Sequence, residues 1–293
     1  MRKMLMVQPL WLVTGAAILW GTIGVTTQAI YKNDSTTSLF LNLARLLIAT
    51  PVLFVACWRI VGQSMFRIRR RDFQIMALSG TFLAISQAAY FAGIRAAGVT
   101  ITTLLTLCIA PLIVTFLSVM LKFEILTRRI VFALICALIG SALLVGFNAP
   151  GGTSYNLLLG ALLSIVSGVT YACMIVCGRF LAADYHALQV TTVTFAAGTV
   201  VLVLINLVSG MVVVHTPQGW LLVLYLGLVP TALAYWLFQK GLRSVSATVA
   251  CIASMFEPAV AAVLAWLLFG ETLATTGIAG AVLLILSIFL LTL

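Results

Sequence analysis

Acidic residues are scarce in this chain: six Asp and Glu face 16 Lys and Arg, and charged residues make up 8% of the sequence, where a soluble domain carries about 25%. With 63% hydrophobic residues, this composition excludes a soluble globular protein. Catalytic constellations are missing too. His186 and His215 both fall between apolar runs, so no intramembrane imidazole can activate the serines of Ser79-Gly80 or Ser167-Gly168, which argues against Ser/His hydrolysis. No GxxxxGK[ST] loop is present to cradle nucleotide phosphates, so ATP drive would have to come from another chain. No Cys-x-x-Cys pair occurs. Cys57, Cys108, Cys136, Cys173, Cys177 and Cys251 lie in hydrophobic runs, where thiols serve as small packing residues, and Cys173 with Cys177 offers too few ligands for a metal. No metal or cofactor is expected.

Apolar runs fill the chain instead. They lie near 9 to 29, 36 to 58, 73 to 94, 99 to 121, 128 to 147, 156 to 179, 187 to 210, 218 to 240, 246 to 269 and 273 to 293. A membrane helix needs about 20 residues, so ten spans leave roughly nine residues for each connection and no sizeable extramembrane domain. Helices are required because the runs are too long for barrel strands and backbone polar groups in lipid must be satisfied within the segment. The first run follows Arg2 and Lys3 but has no Ala-x-Ala site, so it reads as an uncleaved span. The fold class is therefore an all-α polytopic membrane protein with ten transmembrane helices.

The net charge of +10 is a topology signal and not a nucleic-acid footprint. With the N-terminus inside, 13 basic residues collect on the cytoplasmic face, including Arg59, Arg67, Arg69, Arg70, Arg71, Lys122, Arg128, Arg129, Arg179, Lys240 and Arg243, against Lys32 and Arg95 outside. Both termini are then cytoplasmic. The run from Arg67 to Asp72 reads as a retention and lipid-headgroup loop, making membrane lipid an expected partner.

The two halves of the chain echo each other. Ala110-Pro111 followed by Phe123-Glu124 recurs as Glu257-Pro258 followed by Gly270-Glu271, an offset of 147 residues. Gly93-Ile94-Arg95 likewise matches Gly241-Leu242-Arg243 at an offset of 148. Two repeats result, 1-147 and 148-293, each of five spans, within one membrane domain. An odd span count inverts the second repeat relative to the first, the architecture of alternating-access transporters.

Trp20-Gly21-Thr22 in the opening helix, the paired repeats, and Glu257-Pro258 through Leu267-Leu268-Phe269-Gly270-Glu271 resemble the EamA-type ten-helix members of the drug/metabolite transporter superfamily. The resemblance covers essentially the whole chain and is stronger in the second half, since Ala110 before Pro111 and Phe123 before Glu124 depart from the usual pattern. It implies efflux of amino acids or other small metabolites across a bacterial inner membrane, through a central cavity lined by both repeats. It does not single out a substrate, and the transport direction, coupling ion and oligomeric state stay open.

Pro111 and Pro258 sit midway along their runs, where a proline frees the carbonyl four residues earlier, at Leu107 and Ser254. Matching interruptions in two repeats point to a binding site, while a packing kink satisfied by neighbouring hydroxyls is the plainer reading. Glu257 is the one acid well inside a span and Arg45 the one base. An uncompensated charge at mid-bilayer costs about 2.5 to 3.5 kcal/mol on insertion scales, so each needs a partner. Glu257 reads as a proton carrier, a contact for a substrate amine, or a structural acid neutralised or paired with Arg45. Arg45 reads as a structural base able to snorkel.

Gln87, Tyr90 and Phe91 on the third span correspond to Tyr235, Phe238 and Gln239 on the eighth. Trp20 on the first span and Ser164, Ser167 and Tyr171 on the sixth add another mixed polar and aromatic stripe. Such surfaces suit a small molecule with an apolar part and a few polar groups. Trp11, Tyr31, Trp58 and Trp220 instead fit the interfacial belt. Ala133, Ala137 and Ser141, spaced by four, read as a close-packing stripe on a peripheral helix. Glu124 and Glu271 mark the starts of the fifth and tenth spans, where the helix macrodipole favours a carboxylate. The function expected is secondary export of a small metabolite such as an amino acid, with coupling to a proton gradient possible. A passive channel and, further off, an intramembrane enzyme are the alternatives.

Overall fold

A computed structural model of the chain describes residues 2–145, 156–209, 213–214, 216–270 and 274–292. Its helices are α1 (Arg2–Asn33), α2 (Ser38–Val61), α3 (Arg70–Ala97), α4 (Val99–Met120), α5 (Arg128–Val145), α6 (Leu157–Leu181), α7 (Ala187–Ser209), α8 (Pro217–Gly227), α9 (Ala234–Gly241), α10 (Ala247–Ser254), α11 (Glu257–Phe269) and α12 (Thr275–Thr292). A π-helical stretch, Leu228–Leu233, joins α8 to α9 in one span, and α10 with α11 makes another. By length and composition ten segments among the described residues are able to cross a membrane. Large apolar side chains such as Phe116, Phe132, Leu158, Val200 and Leu267 point outward, as a lipid-facing surface requires.

The packing carries the sequence repeat into space. Under the 147-residue offset α1 corresponds to α6, α2 to α7, α3 to α8–α9, α4 to α10–α11 and α5 to α12. Accordingly α1 packs on α9 and α11 while α6 packs on α3 and α4, and the corresponding elements α2 with α7 and α5 with α12 pack on each other. The fold is two inverted five-helix repeats with interdigitated first helices. The repeat boundary at 147 and 148 itself falls outside the described residues.

Where helices approach most closely, glycine is required by space. A Cβ on Gly80 of α3 would lie 2.1 Å from the Thr194 carbonyl oxygen and 2.8 Å from the Gly198 nitrogen of α7. Backbone cannot step aside as a side chain does, so Gly80→Ala should destabilise the protein by about 1–3 kcal/mol. Gly24→Ala, where a Cβ would meet nothing within 4 Å, should leave stability unchanged or raised. Thermal unfolding of the two variants in detergent separates these outcomes.

The prolines behave differently from one another. Pro111 lies inside an unbroken α4, contrary to the expected matching interruptions. It and Ala110 are buried, and loss of one hydrogen bond leaves the surrounding turns helical. Pro258 instead falls in the first turn of α11, after a break at Met255 and Phe256, where its missing N–H is an orphan donor anyway. Met255 N and Phe256 N turn back to Ile252 O and Ala253 O at 3.1 and 3.2 Å, closing the end of α10. A second irregularity lies at Pro230, in the span formed by α8 and α9. Pro230 cannot donate to the Leu226 carbonyl, and Thr231 Oγ1 donates to that oxygen instead at 2.7 Å within the π stretch.

Candidate functional site

The two intramembrane charges come from different repeats and lie within electrostatic reach of each other without direct contact. Arg45 on α2 is buried. Its Nε donates to Thr231 Oγ1 at 2.9 Å and its Nη1 to Asn42 Oδ1 at 3.4 Å. The side chain is thus pinned to the π-helical turn and does not snorkel to an interface. Glu257 sits in the first turn of α11, where the helix dipole favours its negative charge. The two charges attract through space, and Tyr235 of α9 lies within electrostatic reach of both.

Aromatic and amide groups close around this pair. Gln87 of α3 lies near the Tyr235 hydroxyl and Tyr171 of α6 near Ser254, while Tyr171 and Tyr90 of α3 are both within electrostatic reach of Glu257. Tyr90 also hydrogen-bonds Thr103 of α4 at 2.7 Å. Gln87, Tyr90, Tyr171, Tyr235 and Glu257 are each half-buried, keeping part of their surface accessible within the helix bundle. Trp20 of α1 is buried behind this wall, with its ring 4.9 Å from Tyr235 and 5.2 Å from Phe238. Its Nε1 hydrogen has no partner among the described residues.

Two residues expected in the cavity serve helix packing. Ser167 is buried against α3, its Oγ donating to Ser86 O at 2.9 Å while Ser86 Oγ donates to Ser167 O at 3.0 Å. The small serines let α3 and α6 come into contact, and both hydroxyls are consumed there. Gln239 donates to Gly178 O at 2.8 Å, tying α9 to α6 on the basic side of the chamber. Gln239, Ser79, Thr191 and Phe195 border a void of about 20 Å³, room for one water and not for a metabolite. Among the described residues no cluster of three or more His, Cys, Asp and Glu able to hold a metal is present.

Hydrogen bonds between the repeats lace the basic end. Tyr185 Oη donates to Asp72 Oδ2 at 2.6 Å, and Gln189 Nε2 donates to Met65 O at 2.9 Å. His186, lowered below the usual histidine range by burial and by nearby Arg243 and Lys240, is neutral at pH 7, and its Nδ1 accepts from Leu188 N at 3.3 Å. At the other end Ser35 and Thr36 pair antiparallel with Val214 and Val213, and Thr216 N donates to Asp34 Oδ1 at 2.8 Å.

Glu124 has a larger part than capping its own helix, which starts only at Arg128. Its carboxylate crosses to the second repeat and accepts from the backbone N–H groups of Ala247 and Thr248 at the start of α10. This latch holds the α4–α5 connection against the broken span. The counterpart residue Glu271, like His215, lies outside the described residues. Glu124→Ala removes a charged acceptor from two donors, a difference of about 1.5–3 kcal/mol. A cysteine replacing the buried Thr248 in a cysteine-free background should then react at least about tenfold faster with an impermeant maleimide; an unchanged rate would show that the contact does not hold this end shut.

The same architecture is found in known proteins. A crystal structure superposes with a TM-score of 0.83, covering 97% of this chain and 96% of its own, and at 18% identity it supports the fold alone. The uncharacterized transporter YwfM of Bacillus subtilis is 26% identical over 280 residues, 94% of this chain and 90% of its own length. An uncharacterized transporter of Archaeoglobus fulgidus is 29% identical over 266 residues, 90% of this chain and 89% of its own. The uncharacterized inner membrane transporter YicL of Salmonella typhimurium is 28% identical over 288 residues, 95% and 93% of the respective chains. Residues 8–146 and 158–293 each match the EamA-like transporter family, one match per five-helix repeat, and the chain belongs to that family of membrane transporters.

Proposed function

We propose that this transporter exports amino acids across the cytoplasmic membrane of a bacterium by alternating access, with both termini in the cytoplasm. The observation that carries the reading is the grouping of charged and aromatic side chains from both repeats. Arg45, Gln87 and Tyr90 from the first repeat face Tyr171, Tyr235 and Glu257 from the second, so rocking one repeat against the other opens the same groups to either side. Oppositely charged walls beside aromatic surfaces suit a small molecule with an ionic head and an apolar tail. The void of only about 20 Å³ beside Gln239 and the Glu124 latch fit a conformation closed toward the basic end.

Glu257 is the substrate's ammonium contact in this reading. A carboxylate that holds either an ammonium or a proton couples the two by competition, which lets a proton gradient drive export. Purified protein in sealed proteoliposomes tests the proposal with radiolabelled amino acids, with and without a pH gradient. Saturable counterflow and gradient-driven accumulation are expected. Flux that neither saturates nor shows counterflow would identify a passive channel, and counterflow confined to substrates lacking an amine would remove amino acids.

A further inference from the structure

Arg45 was read from the sequence as a structural base, yet its surroundings leave it incompletely used. Thr231 and Asn42 take Nε and Nη1. Among the described residues Nη2 has no hydrogen-bond partner, and it is not sealed away from the internal space. The carboxylate oxygens of Glu257 likewise have no hydrogen-bond partner among the described residues, and Tyr235 is within electrostatic reach of both charges. A structural ion pair closes by direct contact and shares its hydrogens. Arg45 is committed to the π-helical turn, Glu257 sits at the start of α11, and neither spends a hydrogen bond on the other.

Two opposite charges kept separate in a low-dielectric chamber are each incompletely compensated. A ligand carrying both complementary charges satisfies the pair together, whereas a ligand with one leaves the other exposed. We propose that Arg45 is the carboxylate-binding and specificity-determining residue, so that an α-amino acid bridges Arg45 and Glu257 with its side chain against the Tyr171, Tyr235 and Tyr90 wall. The inference rests on the transport reading above and assigns its head-group chemistry. A guanidinium with an unpartnered nitrogen donates to a carboxylate with charge assistance, and the π-helical turn fixes its position in advance.

The test is ligand binding to purified full-length protein in nanodiscs, by calorimetry with leucine and phenylalanine, their methyl esters, and the corresponding acids lacking the amine. The wild type should prefer each amino acid over its ester by about 10- to 100-fold, the range for a hydrogen bond to a charged group. In Arg45→Gln the preference should fall toward one through loss of amino-acid affinity, while ester binding persists. Arg45→Lys, which keeps the charge but not the planar fork, should retain part of it. Equal binding of acid and ester by the wild type overturns the inference even if Arg45→Gln does not fold, and so does an unchanged preference in folded Arg45→Gln. Binding of amino acids with no role for Arg45 leaves the transport reading intact; absence of binding to any amino acid overturns the amino-acid reading and this inference with it.

Discussion

Glu257→Gln should lower both gradient-driven transport and equal-concentration exchange of amino acids by about 10- to 100-fold, because it removes the charge that holds the substrate ammonium. Gln keeps the size and an acceptor oxygen, so folding should survive, and an uncharged substrate should be less affected. Alternative roles leave different signatures. A residue that only carried protons would lose driven accumulation in Glu257→Gln and keep exchange. A purely structural acid beside the break at Met255 and Phe256 would make Gln nearly silent and Glu257→Leu poorly folded, since Leu cannot satisfy loosened backbone. Proteoliposome assays of both modes with Gln and Leu variants distinguish all three.

Thr231→Val should have the second large effect. The hydroxyl donates to the carbonyl that Pro230 leaves free, Leu226 O, and accepts from Arg45 Nε. Val matches the shape of Thr but strands a buried acceptor and one donor of the guanidinium, at about 1–3 kcal/mol for each unsatisfied group. The expected result is a lower melting temperature together with reduced transport, as Arg45 loses the contact that fixes it. Thr231→Ser retains both hydrogen bonds and should restore most of each. Normal transport by Thr231→Val would show that the π-helical turn does not position the arginine.

The ten spans and their inversion were legible because they are written in long-range pattern. Apolar runs of membrane length, an odd span count per half, and one acid and one base inside the spans all survive without knowledge of packing. Contact direction was less legible. Ser167 and Gln239 occupy helical faces shared by chamber and helix interface, and only the neighbouring backbones of Ser86 and Gly178 decide between them. Pro111 and Pro258 have the same sequence neighbourhood rule but different outcomes, since a helix breaks only where its flanking contacts allow. Pro230-Thr231 carries its signal in the sequence: a mid-span proline followed by a hydroxyl able to reach the carbonyl it frees. Glu124 announced a helix N-terminus correctly, but the terminus is that of α10 in the other repeat and not its own.

Alternating access at this shared chamber is tested most directly by two inter-repeat distances measured by spin labelling in one preparation. One pair joins Lys122 to Ser244 at the basic end, and the other joins Val99 to Thr275 at the opposite end, both in a cysteine-free background because six native thiols are free. As substrate and pH gradient shift the populations, the first distance should lengthen when the second shortens, and the reverse. Both ends opening together, or neither responding in protein that transports, would contradict the account.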